Sequence, residues 1–135
     1  MVFRRSPSPL CPRCRSTSSF VAFMLHLLVI ELIRYQQEDG REPYTEWFRS
    51  LRDRMAKARI GDRVRKIQSG NLGDSKPVGE GVTELRIHIG PGYRLYCGRR
   101  GERWVILLCG GDKDSQQTDI AKAKKFWADW KRRQQ

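Results

Sequence analysis

Residues 82–109 contain three short segments in which apolar residues alternate with polar ones or follow one another without interruption: VTELRIHI, YRLYC and WVILLC. The sequences GPG and GRRGE lie between them. Alternation of period two bounded by glycine is typical of β-strands joined by hairpin turns. The last segment is apolar throughout, which predicts a strand that is covered on both faces. The chain is therefore expected to build an antiparallel sheet from these three strands.

Helical periodicity marks three further segments. The first begins near Pro43, which suits the first turn of a helix. Its apolar stripe is expected to comprise Tyr44, Trp47, Phe48, Leu51 and Met55. The second helix carries Ile60, Val64 and Ile67 and ends at Gly70. The third follows Asp114 or Ser115 as its cap and carries Ile120, Ala123, Trp127 and Trp130.

A first strand precedes the helices, because Ile30, Leu32 and Tyr35 alternate with polar residues. The predicted order is β-α-α-β-β-β-α, an α+β domain whose antiparallel sheet is backed by helices. The length of 135 residues suits one such domain. We assign residues 29–135 to it and interpret residues 1–28 as a disordered extension or a misassigned start.

The extension differs in composition from the domain, since its first 19 residues are rich in Ser, Pro and Arg and contain no acid. The apolar run from Phe20 is short for a membrane helix and closer to the core of a signal peptide, but no cleavage site follows it. Cys11 and Cys14 form half of a zinc-site pattern without further ligands in suitable spacing, and Cys97 and Cys109 are expected to be buried and unbridged. These features favour a reducing cytoplasm and predict neither a metal nor a cofactor.

The charge of the chain points to a polyanionic partner. Lys and Arg number 27 against 15 Asp and Glu, a formal net charge of +12. RNA, DNA and acidic membranes all fit such a charge, and a basic surface also serves solubility alone. The charge therefore leaves a nucleic-acid-binding module, a membrane-associated or exported protein, and an enzyme acting on nucleic acid as alternatives.

Several stretches of the chain resemble the HigB-type toxins of the RelE superfamily, the phage-derived addiction-module killer proteins. The stretches are IELIRYQQEDGREPYTEW from Ile30, ELRI around Arg86, GPGYRLY from Gly90, and LLCGGDKDSQQTDIAKAK from Leu107. This resemblance covers about residues 29–133. It implies a RelE-like fold and an endoribonuclease that cuts messenger RNA, usually on the ribosome, as the toxin of a type II toxin-antitoxin system. It also implies a helix-turn-helix antitoxin of the HigA/Xre type as the cognate partner, with no membrane role.

The matching motifs place three cations in the candidate catalytic site: Arg86, Arg94 and Lys113. Metal-independent cleavage of RNA uses the ribose 2′-hydroxyl to attack the adjacent phosphate, and fixed cations stabilise the charge that develops there. Arginine offers a planar fork that matches phosphate oxygens. We therefore expect these residues to bind phosphate and to stabilise the transition state.

The groups that transfer protons are left open by the sequence. His88 shares the expected face of Arg86 and is the side-chain type that titrates near neutral pH, so it is a candidate base. Glu84 is the competing base, or else it fixes the neighbouring arginines. The candidate RNA-binding residues outside this set are Arg63, Lys66, Tyr96 and Arg99.

Gly110 and Gly111 resemble a phosphate-binding loop only in composition, because the P-loop spacing is missing. Nucleotide hydrolysis is therefore not predicted. We expect these glycines to let the chain leave the sheet tightly and to bring Lys113 close to a ligand.

Overall fold

The computed structural model describes residues 30–134, so the predictions about Cys11, Cys14 and the apolar run from Phe20 lie outside the described residues. Five strands and three helices follow one another along the chain. The strands are β1 (Glu31–Arg34), β2 (Ser75–Gly79), β3 (Val82–Ile87), β4 (Tyr93–Arg100) and β5 (Trp104–Asp112). The helices are α1 (Pro43–Ser50), α2 (Arg54–Gln68) and α3 (Gln116–Arg133).

The strands form one sheet with the order β1-β5-β4-β3-β2. The pairs β2–β3, β3–β4 and β4–β5 are antiparallel, as hairpin connections require. β1 pairs with β5 in parallel. Between these two strands the chain passes through α1, α2 and three further strands before it returns beside β1. The long strand β5 therefore lies inside the sheet beside β1, which agrees with its uninterrupted apolar sequence.

Two hydrophobic cores cover the two faces of the sheet. On one face α1 and α2 pack over apolar residues that include Leu85, Leu95 and Leu107. On the other face α3 packs Trp127 and Trp130 over Tyr96 and its neighbours. Leu95 and Tyr96 are adjacent in β4 and enter opposite cores because successive strand side chains point to opposite faces.

The predicted α+β class and element order are confirmed, with β2 as an additional strand that periodicity did not reveal. β2 is short and lies at the outer edge of the sheet. It contains Pro77, a residue that strands tolerate at an edge. A strand with so little apolar content gives almost no signal in the sequence.

One helix boundary was predicted wrongly. Met55 was assigned to the stripe of the first helix, but α1 ends at Ser50 and Met55 lies in the first turn of α2 with 63% of its surface exposed. Asp53 is the reason, because its carboxylate accepts hydrogen bonds from the backbone N–H groups of Met55 and Ala56. This cap starts a new helix.

The two cysteines of the domain are buried and free, as predicted. Within residues 30–134 none of the helices combines the length and apolar character needed to cross a membrane. The same part of the chain contains no cluster of three or more His, Cys, Asp and Glu side chains arranged to hold a metal ion.

Candidate functional site

Two arginines lie side by side on the face of the sheet that α3 covers in part. The register pairs Arg86 of β3 with Arg94 of β4, and Arg94 in turn with Gly111 of β5. Like charges in direct opposition on neighbouring strands destabilise a sheet unless another group offsets them. The chain therefore needs a compensating acid at this position.

Glu84 supplies that acid and is entirely buried. Its Oε1 atom lies 3.5 Å from Nε of Arg86 and 3.8 Å from Nη1 of Arg94. Its Oε2 atom accepts hydrogen bonds from the hydroxyl of Tyr96 at 3.2 Å and from Nε2 of Gln116 at 2.7 Å. One oxygen thus faces the two cations and the other faces two neutral donors, so the carboxylate is fixed from both sides.

The charge of this cluster does not cancel, because one carboxylate faces two guanidinium groups. The Arg86 side chain is 32% exposed and the Arg94 side chain is 15% exposed. Nε of Arg94 is buried and makes no hydrogen bond within the described residues. The cluster therefore presents a positive charge to solvent on a rigid base, which suits the binding of a phosphate group.

Lys113 and His88 extend this cluster at one end of the sheet. The backbone N–H of Lys113 donates to the carbonyl of Gly92 at 3.0 Å, two residues before Arg94. His88 directly follows β3 and lies two residues after Arg86. The side chains of His88 and Lys113 are both exposed.

His88 makes a direct contact with Asp74, a residue that the sequence analysis did not single out. Nε2 of His88 lies 2.6 Å from Oδ2 of Asp74. The hydrogen bond from His88 lowers the pKa of Asp74, and the positive charges of Arg86 and Arg63 act in the same direction. Asp74 lies in the link before β2, which has no periodicity by which a sequence search could find it.

Comparison with known protein families gives a match. Residues 46–127 match the family model described as Phage derived protein Gp49-like (DUF891), which is more than half of the chain. The chain belongs to the Gp49-like family. This is a family of addiction-module toxins of the RelE/HigB-like kind. The matched range contains all five candidate catalytic residues, which lie between Glu84 and Lys113.

The chain is also similar to a protein of Haemophilus influenzae. The two are 47% identical over 81 residues, and that protein is named "Uncharacterized protein". The alignment covers 60% of the present chain and 82% of the relative. The name of the relative gives no information on activity.

Two of the predicted roles do not fit the positions of the residues in the Gp49-like fold. Tyr96 was predicted to contact RNA, but its ring has no exposed surface and that prediction is wrong. Burial and the neighbouring Glu84 raise the pKa of Tyr96, so its hydroxyl remains a hydrogen-bond donor. Glu84 was a candidate base, but it is enclosed by four donors, a position that favours the alternative role of fixing the arginines.

Arg63 was also predicted to contact RNA and instead joins three segments of the fold. Its guanidinium donates to the carbonyl groups of Leu72, Asp74 and Arg86 at 3.0, 2.6 and 2.5 Å. This group is therefore occupied by the protein itself, and burial lowers the pKa of Arg63. Lys66 and Arg99 are exposed, and their contacts with RNA stay predictions.

The glycine pair of the GGDK motif has a packing role that differs from the predicted one. Gly110 and Gly111 lie within β5, and a Cβ atom on Gly110 would come within 2.3 Å of the Trp47 ring. A Cβ atom on Gly111 would come within 1.8 Å of the Asp119 carboxylate. The pair therefore lets α1 and α3 approach β5 closely from opposite faces, and this fixes the start of α3 that carries Gln116.

A cleft of about 820 Å³ lies between α1 and α3 along this part of β5. Trp47, Gly110, Asp119 and Lys122 are among the residues that line it. None of the five candidate catalytic residues lines this cleft. The arginine cluster is therefore separate from this cleft.

Proposed function

We propose that this protein is the toxin of a type II toxin-antitoxin system and acts as a metal-independent endoribonuclease on messenger RNA. The observation that carries the proposal is the pair formed by Arg86 and Arg94, held on the buried carboxylate of Glu84 with a net positive charge toward solvent. Membership of the Gp49-like family supports the toxin assignment.

In the proposed reaction the ribose 2′-oxygen attacks phosphorus and the bond from phosphorus to the 5′-oxygen breaks. Arg86 and Arg94 bind the non-bridging oxygens and stabilise the additional negative charge of the transition state. Lys113 adds a third cation from the segment that directly follows β5. A base removes the proton of the 2′-hydroxyl, and the 5′-oxygen takes a proton from solvent water. The products are a 2′,3′-cyclic phosphate and a free 5′-hydroxyl.

The finer parts of the proposal concern partners. We expect messenger RNA on the ribosome as the substrate, a cytoplasmic site of action and a helix-turn-helix antitoxin of the HigA/Xre type as the inhibitor, as the family resemblance implies. The net charge of +12 supports an RNA-rich partner, since it promotes rapid association with a polyanion. Exposed cations outside the cluster, such as Lys66 and Arg99, are candidates for these contacts.

The test is induction of the full chain in a bacterium, with growth and messenger RNA integrity as readouts. The variants are Arg94→Ala and, as a matched control, Arg49→Ala, an exposed arginine in the last turn of α1. We expect growth arrest and RNA cleavage with the parent and with Arg49→Ala, and neither with Arg94→Ala. The cyclic phosphate on the cleaved ends identifies the chemistry.

Two results would contradict the proposal in different ways. Growth arrest with intact RNA for all three chains would favour the alternative, a basic module that binds nucleic acid without cutting it. RNA cleavage by Arg94→Ala at the rate of the parent would place the active site elsewhere. Urea unfolding of each purified variant separates loss of activity from loss of the fold.

A further inference from the structure

Asp74 and His88 form an ordered pair at the edge of the arginine cluster. Asp74 directly precedes β2 and His88 directly follows β3, so the two residues meet where these strands adjoin. Their side chains are 45% and 73% exposed, and the distance between Nε2 of His88 and Oδ2 of Asp74 is 2.6 Å. A surface pair of this kind contributes little to stability, so its loss is expected to leave the fold intact.

The backbone of Asp74 is fixed by the same residues that build the candidate site. Its carbonyl accepts hydrogen bonds from the N–H of Arg86 at 3.0 Å and from Nη2 of Arg63 at 2.6 Å. Arg63 also binds the carbonyl of Arg86 at 2.5 Å. The link that carries Asp74 is therefore tied to the strand residue that bears the first arginine of the cluster.

The contact with Asp74 determines which ring nitrogen of His88 can accept a proton. An ionised carboxylate only accepts hydrogen bonds, so Nε2 is the nitrogen that donates to Asp74, and in the neutral imidazole Nδ1 is then unprotonated. A hydrogen bond of this type from histidine to aspartate fixes both the tautomer and the orientation of a general base. His88 directly follows the strand that bears Arg86, and the positive charge of Arg86 acts on Asp74, so the pair lies beside the arginine cluster.

We propose that Asp74 is the positioning residue for His88 and that His88 is the general base of RNA cleavage, a proposal that rests on the proposed function. Nδ1 of His88 takes the proton of the 2′-hydroxyl, the 2′-oxygen forms its bond to phosphorus and the bond to the 5′-oxygen breaks. Asp74 touches neither the RNA nor the reacting atoms. It holds the imidazole in the required tautomer while Arg86 holds the phosphate.

The kinetic test uses the purified full chain and a reporter messenger RNA in a bacterial translation extract. The variants are Asp74→Asn, Asp74→Glu, His88→Gln and the double variant Asp74→Asn/His88→Gln. Asp62→Asn is the matched control, since Asp62 is an exposed aspartate of α2 paired with Arg65. We expect His88→Gln to lower kcat by about 100-fold or more, and Asp74→Asn to lower it by about 10- to 100-fold with little change in KM.

The double variant distinguishes positioning from a separate structural role. If Asp74 acts through His88, Asp74→Asn has no further effect on kcat in the His88→Gln background. Asp74→Glu restores part of the activity, and Asp62→Asn matches the parent. An unchanged kcat for Asp74→Asn, or the same loss in both backgrounds, would overturn the proposal.

A second measurement does not depend on cleavage. The ¹⁵N chemical shifts of the His88 ring report its tautomer, and His88→Gln identifies its signals against those of His26. For the neutral form of the ring we expect the Nε2-protonated tautomer in the parent and a mixture of tautomers in Asp74→Asn. A mixture already present in the parent would overturn the positioning role. A folded parent with the ordered ring and no cleavage would reject the endoribonuclease proposal and the base role together.

Discussion

Arg86 and Arg94 face each other across β3 and β4, and the same oxygen of the buried Glu84 lies within 4 Å of both. Two like charges in this position are unfavourable without that carboxylate. The acid at the centre is in turn held by Tyr96 and Gln116. The compensating acid therefore lies beneath the two guanidinium groups, and both arginine side chains remain partly exposed to solvent.

Substitution of the central acid is expected to destabilise the protein. Glu84→Gln leaves two arginines without a counter-charge and places an amide N–H₂ group among donors, which is expected to lower the free energy of unfolding by about 3 kcal/mol. Urea unfolding measures this change. Glu80→Gln is the control, because Glu80 is 70% exposed and pairs with Lys124 at the surface, and it is expected to change stability by less than about 1 kcal/mol. Equal effects of the two substitutions would contradict the central role of Glu84.

The close approach of α3 to β5 is tested at Gly111. A Cβ atom there would lie 1.8 Å from Oδ2 of Asp119, so Gly111→Ala must displace the start of α3. We expect a loss of about 3 kcal/mol in the free energy of unfolding, together with a loss of the contact between Gln116 and Glu84.

A second glycine provides the matched control for this effect. Gly61 lies within α2, and a Cβ atom there would be 3.7 Å from the nearest neighbouring atom, Nη1 of Arg65. Gly61→Ala is therefore expected to stabilise the protein by about 0.5–1 kcal/mol through the higher helix propensity of alanine. A stable Gly111→Ala protein, with an unfolding midpoint like that of the parent, would show that the packing at β5 is looser than described.

The thiols of the sheet are expected to be unreactive in the folded protein. Burial raises the pKa of Cys97 and of Cys109 to about 12, so the thiolate is about one part in 10⁴ at pH 8. In a variant with Cys11→Ser and Cys14→Ser, a disulfide reagent is expected to react with both thiols only in denaturant. Rapid reaction of either thiol under native conditions would contradict its burial.

The pH dependence of stability has an alkaline component from Tyr35. Burial, with the hydrogen bond to Asp129, raises the pKa of Tyr35 from 10.0 to about 12. Between these values the unfolded chain ionises this group and the folded chain does not, so stability falls as pH rises from about 10 to about 12. Tyr35→Phe is expected to cost about 2 kcal/mol near neutral pH through the lost hydrogen bond to a carboxylate.

The readout for this prediction is the urea midpoint at several alkaline pH values. Tyr35→Phe is expected to lose less stability than the parent between pH 10 and pH 12, because its own titration has been removed. Parallel curves for the two proteins would show that Tyr35 does not contribute to the alkaline transition.

Local patterns in the sequence were sufficient for most of the fold. Alternation of period two predicted β3 and β4 and placed Arg86 and Arg94 on one face, because strand geometry alone decides that face. The uninterrupted apolar run predicted β5. Helical spacing predicted the stripes of α2 and α3. The strand β2 and the boundary between α1 and α2 were not predicted, since the first has little apolar content and the second depends on the cap at Asp53.

The candidate site, like the fold, could be predicted from the sequence only in part. The sequence by itself determined which residues carry charge and which face of a strand they share, because alternation is local. Only the tertiary structure decided that Glu84 is buried beneath the arginines, that Gln116 reaches it from α3, and that Asp74 meets His88. Each of these contacts joins residues at least 14 positions apart or depends on what covers a strand, and such relations are set by packing between elements rather than by any local pattern.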